Sequence, residues 1–104
     1  MDEKEAIVRR LKEFKESLSS ERKVDRMIFF GSRASGKSGE WSDIDLIIVS
    51  PSFEGVKNGR GASLYKHWQL GYPVDFLCYT PEEFNRLRRR VSIVSEALKE
   101  GIAI

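Results

Sequence analysis

The chain has 104 residues, 40% hydrophobic and 33% charged, with a net charge of +2. This balance predicts one folded domain over residues 1–104 and excludes a disordered polyelectrolyte; so small a net charge argues against nucleic acid as partner. Its apolar runs are only a few residues long, far short of the roughly 20 that span a bilayer, so no membrane segment is expected. Met1-Asp2-Glu3-Lys4-Glu5 leads into an amphipathic pattern rather than a secretory leader, and the expected compartment is the cytoplasm. The lone cysteine, Cys78, sits in an apolar strand pattern and reads as a buried structural thiol.

In chain order, Ile7, Leu11, Phe14 and Leu18 recur at three- and four-residue spacing within residues 2–20, which predicts an amphipathic helix. Val24 to Phe30 predicts a strand whose end, Met27-Ile28-Phe29-Phe30, is buried on both faces. Gly31 to Trp41 is rich in glycine and serine and predicts turn and loop with at most a short helical piece. Asp43 to Ser50 predicts the second strand, stopped by Pro51. Residues 52–62, with Gly55, Gly59 and Gly61, form the least structured stretch. Leu64 and Trp68 predict a short helix from Ser63 to Leu70, and Val74 to Tyr79 predicts a third strand. Thr80-Pro81-Glu82-Glu83 is a helix start with cap, proline and acid in place. The helix is expected to run to Glu100 on a stripe of Phe84, Leu87, Val91, Val94 and Leu98, ended by Gly101. Alternating helices and short buried strands give an α/β (α+β) class. Arg88-Arg89-Arg90 reads as a solvated helix face, the alternative being a contact with phosphate or an acidic partner surface.

Gly31-Ser32-Arg33-Ala34-Ser35-Gly36-Lys37-Ser38 matches the P-loop expression G-x-x-x-x-G-K-[ST] after a strand. A P-loop, however, requires a helix opening at its Lys-Ser so that helical N–H groups face the phosphates. The chain is back in a strand by Asp43, and that helix has no room. The same residues support another reading. Gly31 can adopt angles closed to other residues and let the Ser32 N–H and hydroxyl approach a phosphate, with Arg33 and Lys37 supplying positive charge.

Asp43 and Asp45 are one residue apart at the start of the second strand. The side-chain period of a strand is two, so both carboxylates project from one face, roughly 7 Å apart at Cα. Two neighbouring acids repel and resist desolvation, an arrangement that a divalent cation relieves. Asp75, between Val74 and Phe76 in the third strand, converges on the pair if that strand lies beside the second. Three such carboxylates suit Mg²⁺ or Mn²⁺. One histidine and one cysteine are too few ligands for a structural zinc site.

Gly31-Ser32-Arg33-Ala34, Ser42-Asp43-Ile44-Asp45-Leu46 and Val74-Asp75-Phe76 together resemble the DNA polymerase β-like nucleotidyltransferase superfamily, in particular its small stand-alone members, the minimal nucleotidyltransferases. The resemblance implies a nucleotidyltransferase fold, a small mixed β-sheet with flanking helices. It implies transfer of a nucleoside monophosphate, AMP from ATP, to an acceptor hydroxyl with two Mg²⁺ ions. Asp43 and Asp45 would bind both metals; Asp75 would bind the catalytic one and help deprotonate the acceptor. Gly31 and Ser32 would hold the β- and γ-phosphates. Small relatives often carry arginine where Ser35 stands here, and Lys37 is the cation that could compensate. Relatives of this size also resemble antitoxins paired with an all-helical HEPN-domain toxin, to whose tyrosine they attach AMP. A second protein or a second copy would complete a cleft that so short a chain leaves open. Two other readings stand beside this one: a transferase-fold binding module whose catalysis is dispensable, and transfer to a small molecule or RNA end.

Overall fold

The structure is a computed structural model that describes residues 2–37 and 42–104; Ser38 to Trp41, the end of the predicted glycine-serine loop, lie outside the described residues. Helix α1 spans Glu3–Ser19, capped by Asp2, whose side chain accepts a hydrogen bond from the Glu5 N–H at 2.8 Å. Its predicted stripe of Ile7, Leu11, Phe14 and Leu18 is buried. Strand β1 (Arg26–Phe30) is followed by a one-turn helix α2 (Ser32–Ser35) and strand β2 (Ile44–Val49). Two short 3₁₀ turns, Pro51–Phe53 and Ala62–His67, precede strand β3 (Val74–Tyr79). Helices α3 (Pro81–Leu87) and α4 (Ile93–Glu100) and the two-residue strand β4 (Ile102–Ala103) follow.

The strands form one mixed sheet in the order β3-β2-β1-β4. β2 lies antiparallel to β1 and parallel to β3, and β4 is antiparallel to β1. The two central strands alternate between two cores. Met27, Phe29, Ile44, Leu46 and Ile48 pack with the α1 stripe. Ile28, Ile47 and Val49 pack with Phe84, Val94 and Ala97 of α3 and α4. Leu46 is wholly buried at the centre of the first core. Leu46→Ala leaves a cavity that the neighbouring strands cannot close, and is expected to cost about 2–5 kcal/mol, read as a lower urea midpoint with an unchanged slope.

Several expectations are corrected. The helix predicted from Pro81 to Glu100 is two helices, because Ser92 starts a new one: its side chain accepts from the Ser95 N–H while Ser95 Oγ accepts from the Ser92 N–H. The Ser92 hydroxyl also donates to the Leu87 carbonyl at the end of α3. Val91, assigned to the apolar stripe, falls in this break and is 96% exposed. Arg88-Arg89-Arg90 therefore lies between helices rather than along a helix face. The stretch 52–62 is anchored rather than loose. Phe53 is buried, and Arg60 donates to the carbonyls of Val56 and Cys78 and pairs with Glu83. Cys78 is half-buried rather than fully so, and burial still pushes its thiol up to about 11. It stays protonated and unreactive at neutral pH.

Candidate active site

The candidate site lies where β1 ends and β2 and β3 begin. The register pairs Phe30 with Asp45 across the antiparallel ladder and Asp45 with Asp75 across the parallel one. Side chains paired in this way project from the same face of a sheet. Asp45 is in phase with Ile47 and Val49, and Asp75 with Leu77 and Tyr79, so both acids lie on the α3/α4 face beyond its apolar core. Asp43 stands just before β2, outside the strand predicted to contain it.

The three acids differ in environment. Asp45 is half-buried, whereas Asp43 and Asp75 are exposed. Asp75, although flanked by Val74 and Phe76, is exposed because β3 is an edge strand whose side chains keep contact with solvent. Burial holds the Asp45 carboxyl above its ordinary value, and the charges of Asp75 and then Asp43 push it further in the same direction. Among the described residues, no three His, Cys, Asp or Glu side chains are gathered closely enough to form a ready metal cluster. The three acids are near enough to feel one another without being drawn to a single point.

Gly31 closes the other side of Asp45. Its backbone is at φ 82°, ψ −165°, a conformation open essentially to glycine alone. A methyl group on Gly31 would stand 2.2 Å from Asp45 Oδ2. The turn thus brings bare main chain against the carboxylate. Ser32 follows at the first position of α2, and Gly36, at φ 81°, ends that helix before Lys37. The turn of helix α2 precedes Lys37, and β2 begins at Ile44. Lys37 is exposed.

Arg33, expected to supply positive charge to a phosphate, is held by contacts within the chain. Its side chain is 6% exposed. Nε donates to the Ser42 carbonyl at 2.6 Å, the guanidinium lies 4.6 Å from the centroid of the Tyr72 ring, and Nη1 pairs with Glu3 of α1. The aromatic residues near β3 also have structural contacts. Trp68 packs edge-on against Phe14 and Phe76, and Tyr65 edge-on against Phe76. Sequence reasoning missed the contacts of Arg33 with Tyr72 and the Ser42 carbonyl. The signal was present in Gly71-Tyr72-Pro73, an aromatic held between turn residues immediately before the strand that carries Asp75.

The small mixed sheet thus carries acids at the mouths of two adjacent strands and a glycine turn against one of them. A crystal structure of a Sulfolobus solfataricus protein provisionally assigned as a nucleotidyltransferase superposes with a TM-score of 0.67 at 20% identity, covering 96% of this chain and 80% of that one. A second crystal structure with the same provisional assignment gives a TM-score of 0.46 at 24% identity, covering 79% of this chain and 87% of that one. No protein of curated function matches. The sequence pattern of the nucleotidyltransferase domain matches residues 11–104. The chain belongs to the nucleotidyltransferase domain family.

Proposed function

We propose that this chain transfers AMP from ATP to an acceptor hydroxyl with divalent metal held by Asp43, Asp45 and Asp75. The observation that carries this reading is the in-register pairing of Asp45 with Asp75 beneath the bare backbone of Gly31. Among the described residues no cation or hydrogen-bond donor is paired with any of the three carboxylates. Hard divalent cations prefer such oxygen donors, and they would supply the missing counter-charge. When bound, the metal would act as Lewis acid toward the phosphates and acceptor oxygen. Asp75, exposed at the sheet edge, would receive the acceptor's proton. The Gly31-Ser32 turn would hold the β- and γ-phosphates through main-chain N–H and hydroxyl, and exposed Lys37 would add positive charge nearby.

The acceptor is proposed to be a tyrosine of a HEPN-domain partner, with this chain acting as the antitoxin. Its support is the resemblance to minimal nucleotidyltransferases. The test is incubation of the purified chain with Mg²⁺, α-labelled ATP and a HEPN-domain protein. Label bound to a tyrosine of the partner supports the assignment; label found only on an RNA end or small molecule contradicts it. Chelation with EDTA is expected to lower transfer to background, and added Mg²⁺ or Mn²⁺ to restore it. Asp75→Asn is expected to lower turnover by at least about a hundredfold, with the far-UV circular dichroism unchanged because the residue is exposed.

A further inference from the structure

The segments that carry the three acids enter the sheet through loops, and one side chain joins those loops. Arg33 reaches from α2 to the Ser42 carbonyl, immediately before Asp43, through Nε at 2.6 Å. Its guanidinium lies against the face of Tyr72, three residues before Asp75, and its Nη1 pairs with Glu3 at the start of α1. The two strand entrances are also bonded directly. The Ile44 N–H donates to the Pro73 carbonyl at 2.9 Å, and Trp68 Nε1 donates to the Tyr72 carbonyl at 2.8 Å. A lysine could keep the charge of Arg33 but not its flat, stacked, side-on geometry.

We infer that Arg33 is a positioning residue: stacked on Tyr72 and bonded to the Ser42 carbonyl, it fixes the spacing of Asp43 and Asp45 relative to Asp75 instead of gripping the nucleotide. The inference rests on the proposed metal-dependent transfer at those acids. A buried cation among the loops at the mouth of a site costs desolvation unless each donor is used. Arg33 meets a carbonyl, a carboxylate and an aromatic face, and that set determines where the loops can sit. Displacement of a reacting group by about 1 Å costs on the order of a hundredfold in rate. The effect should therefore fall on turnover and on metal binding, with little change in nucleotide affinity.

The experiment compares Arg33→Lys, Tyr72→Leu, Tyr72→Phe and the Arg33→Lys/Tyr72→Leu double variant. Steady-state transfer is measured beside Mn²⁺ binding by electron paramagnetic resonance without nucleotide. Arg33→Lys and Tyr72→Leu are each expected to lower kcat about 10- to 100-fold and weaken Mn²⁺ binding, with KM for ATP within about threefold of the parent. The double variant should be no worse than about threefold below the weaker single, and Tyr72→Phe, which keeps the stacked ring, should behave as the parent. A raised KM with intact kcat in Arg33→Lys would make Arg33 a phosphate ligand and overturn the proposal. Parental kcat and Mn²⁺ affinity in Tyr72→Leu, with only a lower melting temperature, would overturn it as well. If Arg33→Lys does not fold, the Tyr72 pair decides. A parent chain that binds Mn²⁺ but transfers no nucleotide would defeat the proposed reaction and leave the positioning role to be read from Mn²⁺ affinity. A parent that binds no Mn²⁺ would defeat both.

Discussion

Asp45→Asn is expected to lower nucleotidyl transfer at least about a thousandfold, a loss of about 4 kcal/mol of transition-state stabilisation, while making the metal-free protein more stable at neutral pH. The two effects share a cause. Asp45 is half-buried, opposite Asp75 and close to Asp43, and its carboxyl is held above its ordinary value by burial and by those two charges. The native state therefore binds this proton more tightly than the unfolded chain does. Stability from the protonated form is complete below the unfolded value of about 3.8 and is lost as pH rises through the higher folded value. Asparagine has no such loss. The stability difference between variant and parent should be small in acid and should grow in favour of the variant as pH rises. Magnesium should reverse the order, because a ligand that binds only the native parent raises the parent's melting temperature alone. Chemical denaturation across pH, with and without Mg²⁺, checks both signs. Equal responses of parent and variant to Mg²⁺ would remove Asp45 from the metal site.

Gly31→Ala is expected to disable the same site from the opposite side, with a cost to folding. The backbone at φ 82° is unfavourable for alanine, at about 1–3 kcal/mol. The new methyl would also stand 2.2 Å from Asp45 Oδ2, well inside contact distance. The carboxylate must then turn away or the turn must shift, and either movement separates the acid from the main chain expected to hold phosphate. Transfer should fall at least about a hundredfold, and the melting temperature should drop by several degrees. A control lies at Gly55, also at positive φ (75°) but with nothing within 4 Å of an added methyl. Gly55→Ala should show only the backbone cost, read in melting temperature, and retain transfer. Full activity in a folded Gly31→Ala protein would show that the turn does not need its close approach.

Much of this arrangement was legible in the sequence because it rests on local rules. The apolar run Met27 to Phe30, the run that follows Asp43 and the stripe Ile7, Leu11, Phe14 and Leu18 each predicted an element that is present, although Asp43 itself stands just before its strand. Val74 to Tyr79 is a strand with those bounds. What escaped was non-local or masked by a stronger pattern. The break at Arg88 to Ser92 was hidden because Val91 fits the helical stripe of the flanking residues, although Ser92 and Ser95 have the spacing of a cap. β4 is two residues whose only signal is their pairing with β1. The contacts of Arg33 with Glu3, Ser42 and Tyr72 were hidden because these residues are scattered along the chain. The exposure of Asp75 follows from strand order, and period two within β3 carries no information about which strand lies at an edge.

In the proposed reaction Asp43, Asp45 and Asp75 would hold the metal while an acceptor hydroxyl attacks the α-phosphate of ATP and pyrophosphate leaves. Its most direct measurement supplies the purified chain with Mg²⁺, a HEPN-domain acceptor and ATP labelled either at the α- or at the γ-phosphate. Covalent label from α-labelled ATP alone, with one pyrophosphate released for each acceptor modified and none in Asp45→Asn, is the predicted result. Label arriving from the γ-phosphate, or transfer undiminished in Asp45→Asn, would contradict the account.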